Sequence, residues 1–125
     1  VYTVGKIDVE KYRVVSPDIR TDEVIITEER IRHIQERHPG ELERYAGYLR
    51  DVVEHPSYII ADERPNTAVV LKELEAQGDH LRLALRLATA ADHPDHKNSV
   101  LTFMRIREKE WLRLLRNKKI LYKEG

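Results

Sequence analysis

The sequence predicts an α+β domain in which helices come first and pack on an antiparallel sheet of about four strands. Three observations carry this. The segment from Thr27 to Gly40 reads as a capped amphipathic helix, a second helical pattern follows it directly, and from Tyr58 onward the period shifts from 3.6 to 2. The links at 62–66, 75–80 and 89–97 are too short for a crossover, so neighbouring strands are expected to run antiparallel.

Residues 1–23 read as an N-terminal arm ahead of a domain spanning 24–125. Val4, Ile7 and Val9 are apolar between charges, Tyr12 to Val15 is compatible with a short strand, and Ser16-Pro17-Asp18 with a turn. Val24-Ile25-Ile26 is a strand or an extended lead-in to the first helix. Thr27 then serves as N-cap, Glu28 and Glu29 put negative charge in the first turn, and Pro39-Gly40 supplies a stop. At 100° per residue, Ile31, Ile34 and His38 share one stripe and Arg30, His33 and Arg37 another. The helix therefore offers an apolar face to the core and a cationic face with one imidazole in its middle. His33 is open to two readings, a solvent-facing residue or an acid–base group. His38 is read as half-buried, closing the helix.

Leu42, Tyr45, Leu49, Val52 and Val53 predict a second helix over about 41–54, which tolerates Gly47 at a cost of roughly 1 kcal/mol and ends at His55-Pro56. Strands are predicted at 58–61, 67–74, 81–88 and 99–107, a helix at 108–116 with Trp111, Leu112 and Leu115 inward, and a closing edge strand at 119–122. Leu81 to Ala88 alternates: its leucines form one buried face, and Arg82 and Arg86, with Ala84 between them, form the other. With Lys72 on the adjacent strand, that face is either an ordinary charged sheet surface or a shallow trough suited to a sugar–phosphate backbone.

Composition narrows the function. At 125 residues the chain fits one core. With no Cys, disulfides and thiolate metal sites are excluded. No apolar run is long enough to span a bilayer, and Val1-Tyr2-Thr3 resembles neither a signal peptide nor an initiator Met, so a processed or excised piece of a longer chain is expected. Formal net charge is +0, but residues 1–96 hold 19 acidic and 13 Lys or Arg side chains, whereas residues 97–125 hold 3 and 9. The basic C-terminal quarter suits phosphate, an acidic partner or the chain's own acidic part. Nucleotide-loop, dinucleotide, zinc-helix, calcium-loop and serine-elbow motifs are missing. The loop Ala91 to Asn98 carries His93 and His96, each after an aspartate; Pro94 interrupts it, and a polar mobile loop is favoured over a metal site. No cofactor is expected. One chemistry fits: metal-free RNA cleavage, with His33 moving the proton, Arg37 and Arg86 clamping phosphate, and Ser99 and Thr102 donating to its oxygens.

Ile26-Thr27 leading into Arg32-His33-Ile34 and Arg37-His38-Pro39, then His55-Pro56-Ser57-Tyr58-Ile59, the strand around Arg86, Asn98-Ser99-Val100-Leu101-Thr102-Phe103 and Lys119-Ile120-Leu121-Tyr122-Lys123 form a set. Over Val24 to Lys123 the chain resembles the phage-associated nuclease-like domains grouped with the barnase, EndoU, colicin E5/D and RelE ribonucleases. The resemblance implies helices packed on a four-stranded antiparallel sheet, RNA as substrate, and a cognate inhibitor or a phage structural protein as partner, in the cytoplasm or on a phage particle and without a membrane. It implies an active region at His33, Arg37, His38, Arg86, Ser99 and Thr102. The combined reading assigns His33, Arg37, His38, Arg86 and Thr102 to catalysis and Lys72, Arg82, Asn98 and Ser99 to RNA binding. The alternative is a non-catalytic binding or structural module of phage or mobile-element origin. Zero net charge argues against strong autonomous RNA binding, because counterion release scales with the phosphates neutralised.

Overall fold

The computed structural model describes residues 1–125. Along the chain it forms β1 (Tyr2–Lys6), α1 (Val9–Tyr12), β2 (Glu23–Ile26), α2 (Glu28–Arg37), α3 (Glu41–Tyr45), a 3₁₀ turn (Ala46–Tyr48), α4 (Leu49–Glu54), β3 (Tyr58–Ile60), β4 (Thr67–Leu74), β5 (Asp79–Arg86), β6 (Asn98–Ile106), α5 (Glu108–Asn117) and β7 (Ile120–Lys123). One seven-stranded sheet runs in the order β1-β2-β6-β5-β4-β3-β7. No helix is long and apolar enough to cross a membrane.

The expected four-stranded antiparallel sheet is thus widened and mixed. The β3–β6 meander is present with antiparallel pairing, and β7 closes one edge against β3. On the other side β2 joins β6 in parallel, Val24 opposite Asn98 and Ile25 opposite Ser99. Short links dictate antiparallel neighbours only for strands consecutive in sequence, and three helices with three strands lie between β2 and β6, ample for a parallel return.

The two faces of the sheet are covered unequally. Val24, Ile26, Ile59, Ala68, Val70, Leu81, Leu83, Leu85, Val100 and Phe103 point to the face that α2, α3 and α4 cover through Ile34, Leu42, Tyr45, Leu49, Val52 and Val53. On the opposite face α5 lays Trp111 and Leu114 over Ile60, Val69, Leu71 and Ile106. Trp111 meets Tyr58 edge-on at 5.8 Å between centroids and lies 4.8 Å from the His80 ring. α5 thus covers β3, β4 and the His80–Ile106 end of β5 and β6, and leaves the Arg86–Ser99 end of that face, with β2 beside it, open.

Thr27 caps α2 as expected, its hydroxyl accepting from the Arg30 N–H at 3.2 Å, and His38 is the C-cap residue, its N–H donating to the Ile34 carbonyl at 2.7 Å. The predicted single helix over 41–54 is broken at Gly47. A 3₁₀ turn winds three residues per turn instead of 3.6, which re-aims the apolar stripe so that Tyr45 and Leu49, on either side of it, both reach the core.

The largest correction falls on residues 1–23, which are integral to the core and not an appendage. β1 pairs antiparallel with β2, and Ile7 and Tyr12 belong to the main core. Tyr12 to Val15 is no strand: Asp8 caps α1 by accepting from the Glu10 N–H at 3.1 Å, and the helix ends at Tyr12. Tyr12 is fully buried and its hydroxyl donates to the Val53 carbonyl at 2.7 Å, a pairing across 41 residues invisible to local pattern. Burial raises its phenol pKa far above the usual range, so it stays a donor. β1 passes close to α4 at Gly5, where a Cβ would stand 2.8 Å from Glu54 Oε2 and would displace the carboxylate that accepts the Lys6 N–H at 2.9 Å.

Tyr12→Phe tests this integration. Removing the hydroxyl leaves a buried carbonyl unpaired, with an expected loss of about 1–3 kcal/mol in urea unfolding; a loss below a few tenths would show that the N-terminal segment contributes little to folding.

Candidate nucleic-acid cleft

Because β5 alternates, its leucines face the helices and Arg82, Ala84 and Arg86 face the other way. Cross-strand register then fixes their neighbours: Arg86 lies opposite Ser99, Ala84 opposite Thr102 and Arg82 opposite Met104, with a register shift between Ala84 and Leu85. Ser99 and Thr102, both half-buried, therefore stand on the same open face as the two arginines.

Ile25, Arg86, Ala88, Asp92, Asp95, His96, Lys97 and Ser99 line a cleft of about 410 Å³ at the open end of this face. Its floor is sheet and its rim is the 89–97 loop. Asp92 holds the loop down: its carboxylate accepts two bonds from the Arg86 guanidinium, at 3.0 and 3.2 Å, and one from the Thr89 N–H at 2.7 Å. Arg86 also donates to the Leu87 carbonyl. The Thr89 N–H, followed by Arg86 and the Thr89 hydroxyl, keeps the Asp92 carboxyl below the usual range against the opposing effect of partial burial. The guanidinium is thereby fixed in direction while its side chain stays 35% exposed, enough to meet a ligand. Lys97 bonds Glu23 at 2.5 Å, which holds its ammonium pKa above the ordinary value and keeps a fixed cation on the rim.

The expected partners of Arg86 are redistributed. His33 shares no cleft with it. α2 packs by Ile34 on the leucine face, and His33 sits with Glu29, Arg30, Arg32 and Glu36 in a separate surface depression. Arg37, exposed in the last turn of α2, and His38 at its C-cap also belong to the helical layer. Lys72 is on the helical face as well, because it alternates with Leu71 and shares a side with Val70 and Leu74. Its ammonium is consumed by the His55 carbonyl at 2.6 Å and Asp51 at 3.3 Å. Asn98 is fully buried and structural: its Oδ1 accepts the Ala88 N–H and its Nδ2 donates to the Thr21 carbonyl, both at 2.8 Å. Thr102 lies beyond the cleft, along the face toward Arg82.

In place of His33 the loop contributes His96, with Asp92 and Asp95. A signal existed in the sequence. A loop joining two paired strands must fold near their ends, so once Arg86 and Ser99 are opposite one another, residues 89–97 have to lie beside them. No group of three or more His, Asp or Glu side chains is gathered as a metal-holding cluster.

Comparison with known proteins gives one result at the level of family. The family model described as phage-Barnase-EndoU-ColicinE5/D-RelE like nuclease2 matches residues 2–123, including the N-terminal segment that the sequence reading set apart. Neither the search of curated proteins nor that of solved structures returned a match. With the α+β body and the open sheet face in place, the chain belongs to the phage-Barnase-EndoU-ColicinE5/D-RelE like nuclease family and is a nuclease by class.

Proposed function

We propose that the protein is a metal-independent endoribonuclease that cleaves RNA by attack of a ribose 2′-hydroxyl on the adjacent phosphate. What carries this reading is that Arg86, Ser99, Asp95 and His96 line one open cleft in a chain of nuclease family. The Arg86 guanidinium, aimed by Asp92, and the Ser99 hydroxyl donate to the non-bridging oxygens as charge grows on them. The Asp95 carboxylate accepts the 2′-hydroxyl proton and the freed oxygen bonds to phosphorus. The P–O5′ bond breaks as the imidazolium of His96 protonates the departing 5′-oxygen, leaving a 2′,3′-cyclic phosphate and a 5′-hydroxyl. Both groups are exposed on the rim, where a strand can reach them, and a carboxylate and an imidazole are groups that commonly serve as general base and general acid. Thr102, next along the face, is an additional donor to the strand. RNA is the partner this chemistry requires.

Under this mechanism His96→Ala lowers kcat on mixed RNA by about 100-fold or more, while His33→Ala leaves it within about threefold. The reverse pattern in purified, folded variants would return the chemistry to α2. Cleavage should persist in EDTA and yield 2′,3′-cyclic phosphate ends, identified by mass spectrometry; metal-dependent activity, or 5′-phosphate ends, would refute 2′-hydroxyl attack. Multiple turnovers separate this function from a module that only binds.

Asp92 gives a pH test. Its native pKa lies below that of the unfolded chain, so its stabilisation is complete above the unfolded value of about 3.9 and lost as pH falls through the native value. Wild type should therefore melt above Asp92→Asn near pH 6, with the gap closing in that acidic window. A gap constant down to low pH would mean that the carboxylate charge does not hold the loop.

A further inference from the structure

The cationic face does not end at Arg82. Moving from the cleft along the paired strands, Arg86 and Ser99 are followed by Ala84 and Thr102, then by Arg82 and Met104. Arg82 and Arg86 are four residues apart on one strand face, about 13 Å. The residues flanking Arg82 in register, Leu71 and Met104, both pack against the α5 cluster, so this strip runs up to that helix. There, Ile106, Arg107, Lys109, Glu110, Arg113 and Arg116 line an open groove of about 390 Å³. Glu110 joins the two regions electrostatically: Arg113, which bonds it at 2.5 and 2.9 Å, and then Arg82 hold its carboxyl below the usual range.

The pairing of these charges is informative. Of the cations on this route, Arg86 is engaged by Asp92 and Arg113 by Glu110. Arg82, Arg107, Lys109 and Arg116 have neither an ion pair nor a side-chain hydrogen bond within the chain, and the last three are exposed around one groove. The groove contains no aromatic ring on which a base could stack. Its chemistry suits the phosphates of a strand and not its bases.

We propose that Arg82 and the α5 groove form a phosphate-backbone track, sequence-independent in its contacts, that holds the RNA strand extending from the Arg86 cleft. The track rests on the endoribonuclease reading and adds where the rest of the substrate lies. It also supplies what a chain of zero formal charge otherwise lacks, a local source of counterion release. Loss of the track weakens long substrates in preference to short ones, because a dinucleotide in the cleft does not extend to α5.

The test uses the full chain with Arg107→Gln, Lys109→Gln and Arg116→Gln combined, beside a charge-matched control carrying Lys118→Gln, Lys119→Gln and Lys123→Gln, whose positions lie outside the groove. All these residues are exposed, and thermal melts check folding. The binding probe is a single-stranded oligonucleotide of roughly a dozen nucleotides without 2′-hydroxyls, so binding is read without cleavage. At about 0.7 per neutralised phosphate, the groove variant should lower the slope of log K against log salt by about 2, and the control should retain the wild-type slope. On RNA of the same length the ratio of kcat/KM to that for a dinucleotide should fall about tenfold, mainly through KM. An unchanged slope in the groove variant overturns the track, as does an equal fall in both variants, which would mean diffuse charge attraction. If wild type cleaves no RNA yet the slope falls only in the groove variant, the track stands and the catalytic reading fails.

Discussion

The alternation of β5 governs the molecule. Leu81, Leu83 and Leu85 are fully buried beneath the helices, so the residues between them have no choice of side, and Arg82, Ala84 and Arg86 are set on the opposite face. A register slip of one residue would drive two guanidinium groups under the helical layer and bring three leucines into solvent. The apolar burial that stabilises the sheet thus also fixes the direction of the arginines. Site and core are two consequences of one period.

The unequal covering of the sheet follows from where the remaining apolar side chains lie. The helical face is continuous from β2 to β7 and takes three helices; the other is apolar only around Ile60, Val69, Leu71 and Ile106, the patch that α5 covers with Trp111 and Leu114. The Arg86 end offers only Ile25 and small alanines among polar and charged side chains, too little apolar surface to draw a helix over it, and it remains open. The two edge strands, β1 and β7, are short and carry lysines, Lys6 on one and Lys123 on the other, features that disfavour edge-to-edge pairing.

Charge is distributed with the same economy. The acidic residues that make the chain formally neutral are mostly in residues 1–96, whereas the strip from Arg82 to α5 holds cations without internal partners. Where an arginine is paired near the cleft, the pairing is local and orienting, as Asp92 is for Arg86 across six residues of chain. A chain of zero formal charge thus carries a locally positive strip without the long-range field of a basic protein.

Much of this was legible in the sequence. The Thr27 cap, the two-sided β5, the β3–β6 meander and the family resemblance are written in short-range periodicity and turn chemistry, which need no knowledge of the rest of the chain. The same is true of Arg82 and Arg86 sharing a face, since alternation suffices, whereas Ser99 and Thr102, three residues apart, both join that face only through the register shift in the β5–β6 pair, which alternation does not predict. What local pattern could not supply was which layer each polar residue joins. Lys72 went to the helical side, Asn98 became a buried tie between Ala88 and Thr21, and His33 stayed on the outer surface of α2. Nor could it show that Ile7 and Tyr12 belong to the core, because the Tyr12–Val53 bond and the parallel β2–β6 pair join segments far apart in sequence. The sequence alone settles the periods and hence the faces. Only tertiary packing selects which face meets which helix, because that choice depends on burying all the apolar surface at once, and no single segment contains that information.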